Sequence, residues 1–525
     1  MKAAPAPERS GAMRAVPFDL AAAEAMPGWR DGLAWPQSVA PVRREMEARY
    51  RALLERTAAL EPNLRRAAIL SLGRIVSSVS ALLECALLVE AERTSGIAVQ
   101  GGPAELDWLR GVGTTPPVTP QRIGQPQSAT ALPALRRLAR TASWTPWWRL
   151  PGAVLAPEAE AVSHNTMLRE AARDTRVRFV QGERLLDAAR RGGAARGPDM
   201  RGVAETMTDV FTSGFDPAMA RRLDAIAAPK IAGHLAAASD DLAALANARV
   251  PRHVWSGSAG GYAARALGLE AMRRGGEAVR FDHGGAAGML DNPDSLTLRE
   301  TSASSRFVAA TEAIAEICRA SDRARPIPGL AQAKIAGGAG EPHFRQAKSL
   351  PRAPGGPRPR AVYATGAVYG FRQIFPPVPR DTVYLDWQMR LAQMLLSLPA
   401  DITLKPHPEG IFRGKVHPLT ALGPSTPARF ETVMAGADIF VFDFPLSTAF
   451  WTALCSDRPV VFVDLGLVSF HPQIRRMIGA RCRVVTARWD ENNLPVVEKG
   501  ALEAAIFARG APDPSPFGAL LAGTA

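Results

Sequence analysis

The sequence predicts an α/β protein, with two doubly wound parallel-sheet lobes behind an N-terminal helical segment. Three observations predict it. First, short apolar runs, each followed by glycine and then a helical stretch, recur from about residue 96. That alternation is the pattern of parallel sheets covered by helices on both faces. Second, it is interrupted by a stretch holding Pro351, Pro354, Gly355, Gly356, Pro357 and Pro359, and restarts beyond it. Such a stretch without periodicity reads as a linker. Third, apolar residues at helical spacing precede both parts. The expected organisation is an arm and helical segment over 1–95, a Rossmann-like lobe over 96–345, a linker over 346–360 and a second Rossmann-like lobe over 361–525.

Taken in order, residues 1–37 read as an irregular arm. Met46, Tyr50, Leu53 and Leu54 lie on one face of a helix over about 42–60, which Pro62 ends. A second helix over about 64–92 pairs with it. Its most apolar part, 75–89, contains Glu84 and follows Arg74, so it reads as a core helix too short and too polar to span a bilayer. Strands are expected at 96–101, 176–180, 253–255, 278–281 and 306–309, then at 361–363, 401–405, 438–442, 459–463 and 484–486. Ligands of open α/β sheets sit beyond the carboxyl ends of such strands.

The composition excludes several classes. At 47% hydrophobic and 22% charged, the 525-residue chain has the profile of a globular protein with sizeable cores. The net charge of +13 suits anionic ligands or surfaces in general. Basic residues alternate with acidic ones and no zinc-finger or RNA-binding signature occurs, so nucleic acid is not an expected partner. Cys85, Cys318, Cys455 and Cys482 form no CxxC pair, which fits a reducing cytoplasm. Residues 1–20 hold no apolar run and are not expected to be a secretory signal. His164, His234, His253, His343, His417 and His471 show no metal-ligand spacing, so no metal is expected.

Four strand ends could carry chemistry. In Lys405-Pro406-His407-Pro408 two prolines hold a histidine at a strand rim. An ammonium and an imidazole together suit a phosphate; an incidental turn histidine is the bland alternative. Asp443 ends a strand and is followed by Ser447 and Thr448, where a helix opens. Those hydroxyls can cap the helix or serve an anion. Asp282-His283-Gly284-Gly285 places a base at a strand end, with glycines that admit a substrate close to the backbone. Ser256, Gly257, Ser258 and Gly260 form a Gly-rich turn without dinucleotide spacing, suited to an acceptor or to tight packing. Trp144, Trp147 and Trp148 could stack on sugars, although packing is their commoner use.

The order of these motifs over residues 250–490 resembles the bacterial surface-polysaccharide transferases of GT-B type. That group includes the surface-carbohydrate transferases, capsule Kdo transferases, CDP-glycerol glycerophosphotransferases and GT-B sialyltransferases. The resemblance implies a metal-independent glycosyltransferase that uses no cofactor. Its nucleotide-activated sugar would be CMP- or CDP-linked, with a CMP-ulosonic acid such as Kdo the first expectation. It implies donor contacts from Lys405, His407, Pro408, Asp443, Ser447 and Thr448, catalytic work by His283 and Asp282, and an acceptor side at Ser256, Gly257, Ser258, Gly260, Gly284 and Gly285. A glycan or glycolipid acceptor and a cytoplasmic site, with peripheral contact at the inner face of the membrane, follow from it. Asp282 stands where these families usually carry Gln, and Phe444-Pro445-Leu446 replaces a more polar turn. A CDP-polyol phosphotransferase on the same fold and a non-catalytic nucleotide-binding scaffold are the alternatives.

Overall fold

The computed structural model describes residues 14–117, 157–192, 196–257, 261–285, 287–330, 333–348, 350, 356–370, 379–510 and 513–523. Trp144, Trp147, Trp148, Ser258 and Gly260 lie outside these residues.

The chain is α/β with two large all-parallel sheets, of six and five strands, the arrangement of two Rossmann-like lobes. The first holds β3 (Ala159–Ala161), β4 (Val177–Phe179), β5 (His253–Ser256), β6 (Glu277–Phe281), β7 (Arg306–Ala309) and β8 (Lys334–Gly337), in the order β4-β3-β5-β6-β7-β8. The second holds β9 (Arg360–Ala364), β10 (Asp401–Lys405), β11 (Ile439–Phe442), β12 (Val460–Asp464) and β13 (Arg483–Thr486), in the order β10-β9-β11-β12-β13. Each order reverses once, between β3 and β5 and between β9 and β11. A crevice opens at such a reversal, because the flanking connections leave to opposite faces.

The N-terminal part differs from expectation in three ways. The arm is not irregular throughout, since β1 (Arg14–Pro17) pairs in parallel with β2 (Ile97–Gln100). β2 therefore belongs to a two-stranded sheet and not to the first lobe's main sheet. Buried Val16 and Phe18 hold this segment down. The expected helical pair is also part of a larger unit. Val39–Ala58 and Pro62–Ser95 share one core with Arg201–Thr212 and Pro217–Ala246.

The Pro62–Ser95 helix is longer than its most apolar part suggested. By length and composition alone it could cross a membrane, but 67% of its most apolar window is buried inside the protein. Its polar residue Glu84 is matched there by Arg380, next to the second lobe's Asp381–Leu396 helix. Both side chains are buried, and the Arg380 guanidinium stacks over Phe18 at 4.6 Å. Burial raises the Glu84 carboxyl above its usual range, and the guanidinium opposes the rise. Removing one partner of a buried pair strands the other charge. Arg380→Ala is therefore expected to lose about 3–5 kcal/mol of stability, read as a lower urea midpoint. The double variant Glu84→Leu/Arg380→Met is expected to recover most of it.

The lobes meet along loops that leave their strands' carboxyl ends. Leu290 bridges to Phe470, with Asp291 N–H donating to Ser469 O at 2.9 Å and His471 N–H to Met289 O at 3.0 Å. The C-terminal residues return to the first lobe, where Glu341 N–H donates to Leu521 O at 2.9 Å and the Thr311 hydroxyl to Leu520 O at 2.6 Å.

Candidate active site

The 282–285 strand end lies in the seam between the lobes. Asp282 N–H extends the ladder by donating to Val308 O at 2.9 Å. Its carboxylate folds back, and Oδ1 accepts from His283 N–H at 2.7 Å. Oδ2 is buried and makes no hydrogen bond of normal geometry among the described residues. Burial first, then the field of Glu300, pushes the Asp282 carboxyl up to about 7. His283 by contrast is exposed, so it is the group at this strand end that a substrate can reach.

Gly284 explains how close the lobes come. Its φ is +78°, a conformation that disfavours any side chain. A Cβ there would sit 2.7 Å from Thr448 Oγ1 of the other lobe. Gly285 is likewise pressed on Phe344 and Leu521. Gly284, expected on the acceptor side, and Thr448, expected on the donor side, thus face one another in contact.

Ser256 and Gly257 end β5 beside the first lobe's crevice. Ser256 is buried. Gly257 N–H donates to Ser163 Oγ at 3.2 Å, and a Cβ on it would lie 2.3 Å from Asn165 N. Tight packing against 163–165 therefore accounts for this glycine. Asn165 is buried, caps the Thr166–Ala171 helix through Oδ1 to Leu168 N–H at 2.8 Å, and reaches the 281–282 backbone through Nδ2.

On the other lobe, Lys405 ends β10 and is buried. Desolvation lowers its ammonium below the ordinary lysine range, and Glu431 opposes this. No hydrogen bond to that ammonium occurs among the described residues. His407 N–H donates to Thr365 Oγ1 at 3.3 Å, while its Nδ1 accepts from Glu409 N–H at 3.2 Å. Burial and then Lys405 lower the imidazole from its usual value. A neutral ring with Nδ1 accepting carries its proton on Nε2, ready to donate. Pro408 is exposed on the rim. β10 and β11 flank β9, so these groups stand roughly 10 Å from the 443–448 turn.

Asp443 is placed differently from a ligand-facing carboxylate. Its oxygens accept from Tyr363 Oη and Trp387 Nε1, each at 2.9 Å, and from Tyr384 Oη at 3.4 Å. The side chain is buried, and burial pushes it up to about 6 despite those donors. It braces the turn from below. Ser447 Oγ accepts from Ala449 N–H at 3.2 Å, so it is first of all a helix cap. Thr448 is left as the hydroxyl at the seam.

Sequence reasoning passed over Asn165, Tyr363, Tyr384 and Trp387. An Asn before a helical run was readable as a cap, but its second bond crosses 117 residues. Among the described residues no group of three or more His, Cys, Asp or Glu side chains is placed to hold a metal ion. No protein-family model matches the chain, and no curated protein matches it either.

Proposed function

We propose that this chain is a GT-B glycosyltransferase moving a sugar from a nucleotide donor to a surface glycan or glycolipid. One observation carries the reading: the His283 strand end and the Thr448 turn, from separate lobes, touch at Gly284. A two-substrate transfer needs groups from both sides at one seam.

In this reading the nucleotide lies on the second lobe. The Lys405 ammonium and the His407 Nε2–H bind its phosphate and offset the charge that grows as the sugar leaves. Thr448 adds a hydroxyl where the lobes close. His283, exposed across the seam, takes the proton of the acceptor hydroxyl. Asp282 does not reach the acceptor; it holds the His283 backbone. A CMP-activated ulosonic acid such as Kdo is the first donor to test, ahead of CDP-polyols and UDP-sugars. The acceptor would be met at the inner face of the cell membrane.

Calorimetry with CMP, CDP, UDP and GDP tests the donor side. CMP or CDP is expected to bind selectively, and His407→Ala to weaken that binding about tenfold or more, the worth of one hydrogen bond to a charged group. Binding of none of the four, or binding indifferent to His407→Ala, would overturn the reading.

A further inference from the structure

At the reversal between β3 and β5 in the first lobe, the loops that follow the two strands meet in close contact. Asn165 stands there, buried, at the end of the loop that follows β3. Its two ends do different work. Oδ1 accepts from Leu168 N–H and caps a helix. Nδ2 donates to Asp282 O at 2.7 Å and Phe281 O at 3.3 Å, two consecutive carbonyls where β6 ends. The amide thus ties the loop after β3 to the end of β6, and Gly257, after β5, lies against the backbone of 164–165 with no room for a Cβ. The neighbouring Thr166 hydroxyl donates to buried Glu341 Oε1, fixing the same loop from its other side.

The carbonyl that Asn165 holds belongs to the residue just before His283. Asp282 in turn accepts the His283 N–H. The peptide leading into His283 is therefore held at both its oxygen and its nitrogen, while the next residue, Gly284, lies against Thr448.

We propose that Asn165, seated on Gly257, is the positioning residue that aims His283 across the seam. The catalytic half rests on the transferase reading, and the anchoring half does not. Asn165 contacts no substrate in this scheme; it acts through the 281–283 backbone. Its cap function and its anchoring function separate by substitution. Asn165→Asp and Asn165→Ser both keep a cap acceptor for Leu168 N–H, but neither supplies the amide donor that reaches both carbonyls. Gly257→Ala keeps Asn165 and pushes it off its seat.

The test is amide hydrogen exchange of the peptide spanning 281–285, run beside steady-state transfer. In Asn165→Ser and Gly257→Ala, exchange there is expected to run about tenfold faster, and in Asn165→Ser, which keeps the cap, the Thr166–Ala171 helix stays as in wild type. The kcat is expected to fall about a hundredfold, as for a reacting group misplaced by an ångström, with the donor KM unchanged because the donor sits on the other lobe. Unchanged exchange at 281–285 overturns the proposal. So does faster exchange with an unchanged kcat, since the bond would then not aim His283. A wild-type chain without turnover sinks the transferase reading and the catalytic half with it, whereas faster exchange still upholds the anchoring.

Discussion

Gly284→Ala is expected to reduce transfer about a hundredfold while leaving nucleotide binding within about twofold of wild type, the loss following from seam groups displaced by about an ångström. Two costs fall on the new methyl. At φ +78° it occupies the left-handed region, which costs an L side chain roughly 1 kcal/mol. It would also lie 2.7 Å from Thr448 Oγ1, with the Thr448 Cβ and Cγ2 at 3.7 and 3.8 Å. Relieving this contact takes either a turn of the Thr448 side chain, which moves its hydroxyl off the seam, or a parting of the lobes. The donor groups Lys405 and His407 lie away from this contact and keep their geometry. Thr448→Ala removes the offending atom, so the two changes should not be additive. Gly284→Ala/Thr448→Ala is expected to be scarcely slower than Thr448→Ala alone. Multiplicative losses in the double variant would mean that the contact at Gly284 does not gate transfer.

What the residues revealed beforehand follows the reach of the signal. The strands of the second lobe were legible because β11 and most of β9 and β12 are buried on both faces, so they read as unbroken apolar runs. His283 and His407 stand out because each ends a strand beside residues that stiffen or bare the backbone. The Pro217–Ala246 helix was not expected, since its alanine-rich stretch gives little contrast between faces and Pro229 interrupts it. The pairing of β1 with β2 joins segments more than eighty residues apart, for which no local pattern exists. Asp443 looked like a ligand for the same reason. Its position at a strand end is local, but the rings that claim its oxygens arrive from β9 and from the Asp381–Leu396 helix. Gly257 looked like a cradle until Asn165 was found in the space above it.

Asp282→Asn is expected to stabilise the protein increasingly as pH rises. The unfolded carboxyl ionises near its ordinary value of 3.8, whereas the folded one keeps its proton up to about 7. Between those values the folded state holds the extra proton, so stability falls as pH climbs through that window and stays lower above it. A shift of this size corresponds to a penalty on the order of 4 kcal/mol once both states are ionised. The groups facing Asp282 explain why its charge is unwelcome. Glu300 and Glu341 add negative field, Cys318 is near and buried, and Oδ2 makes no hydrogen bond of normal geometry among the described residues. Against these stand the His283 and Ala287 N–H groups, which favour the charged form but do not prevail. Asparagine keeps an oxygen for His283 N–H and carries no charge to desolvate. Urea unfolding at steps from pH 4.5 to 8.5 should therefore show a wild-type curve that falls relative to the variant by a few kcal/mol. The separation should be complete slightly above pH 7. Parallel curves would mean that Asp282 ionises in the ordinary carboxylate range, and that its carboxylate finds partners when the lobes are closed.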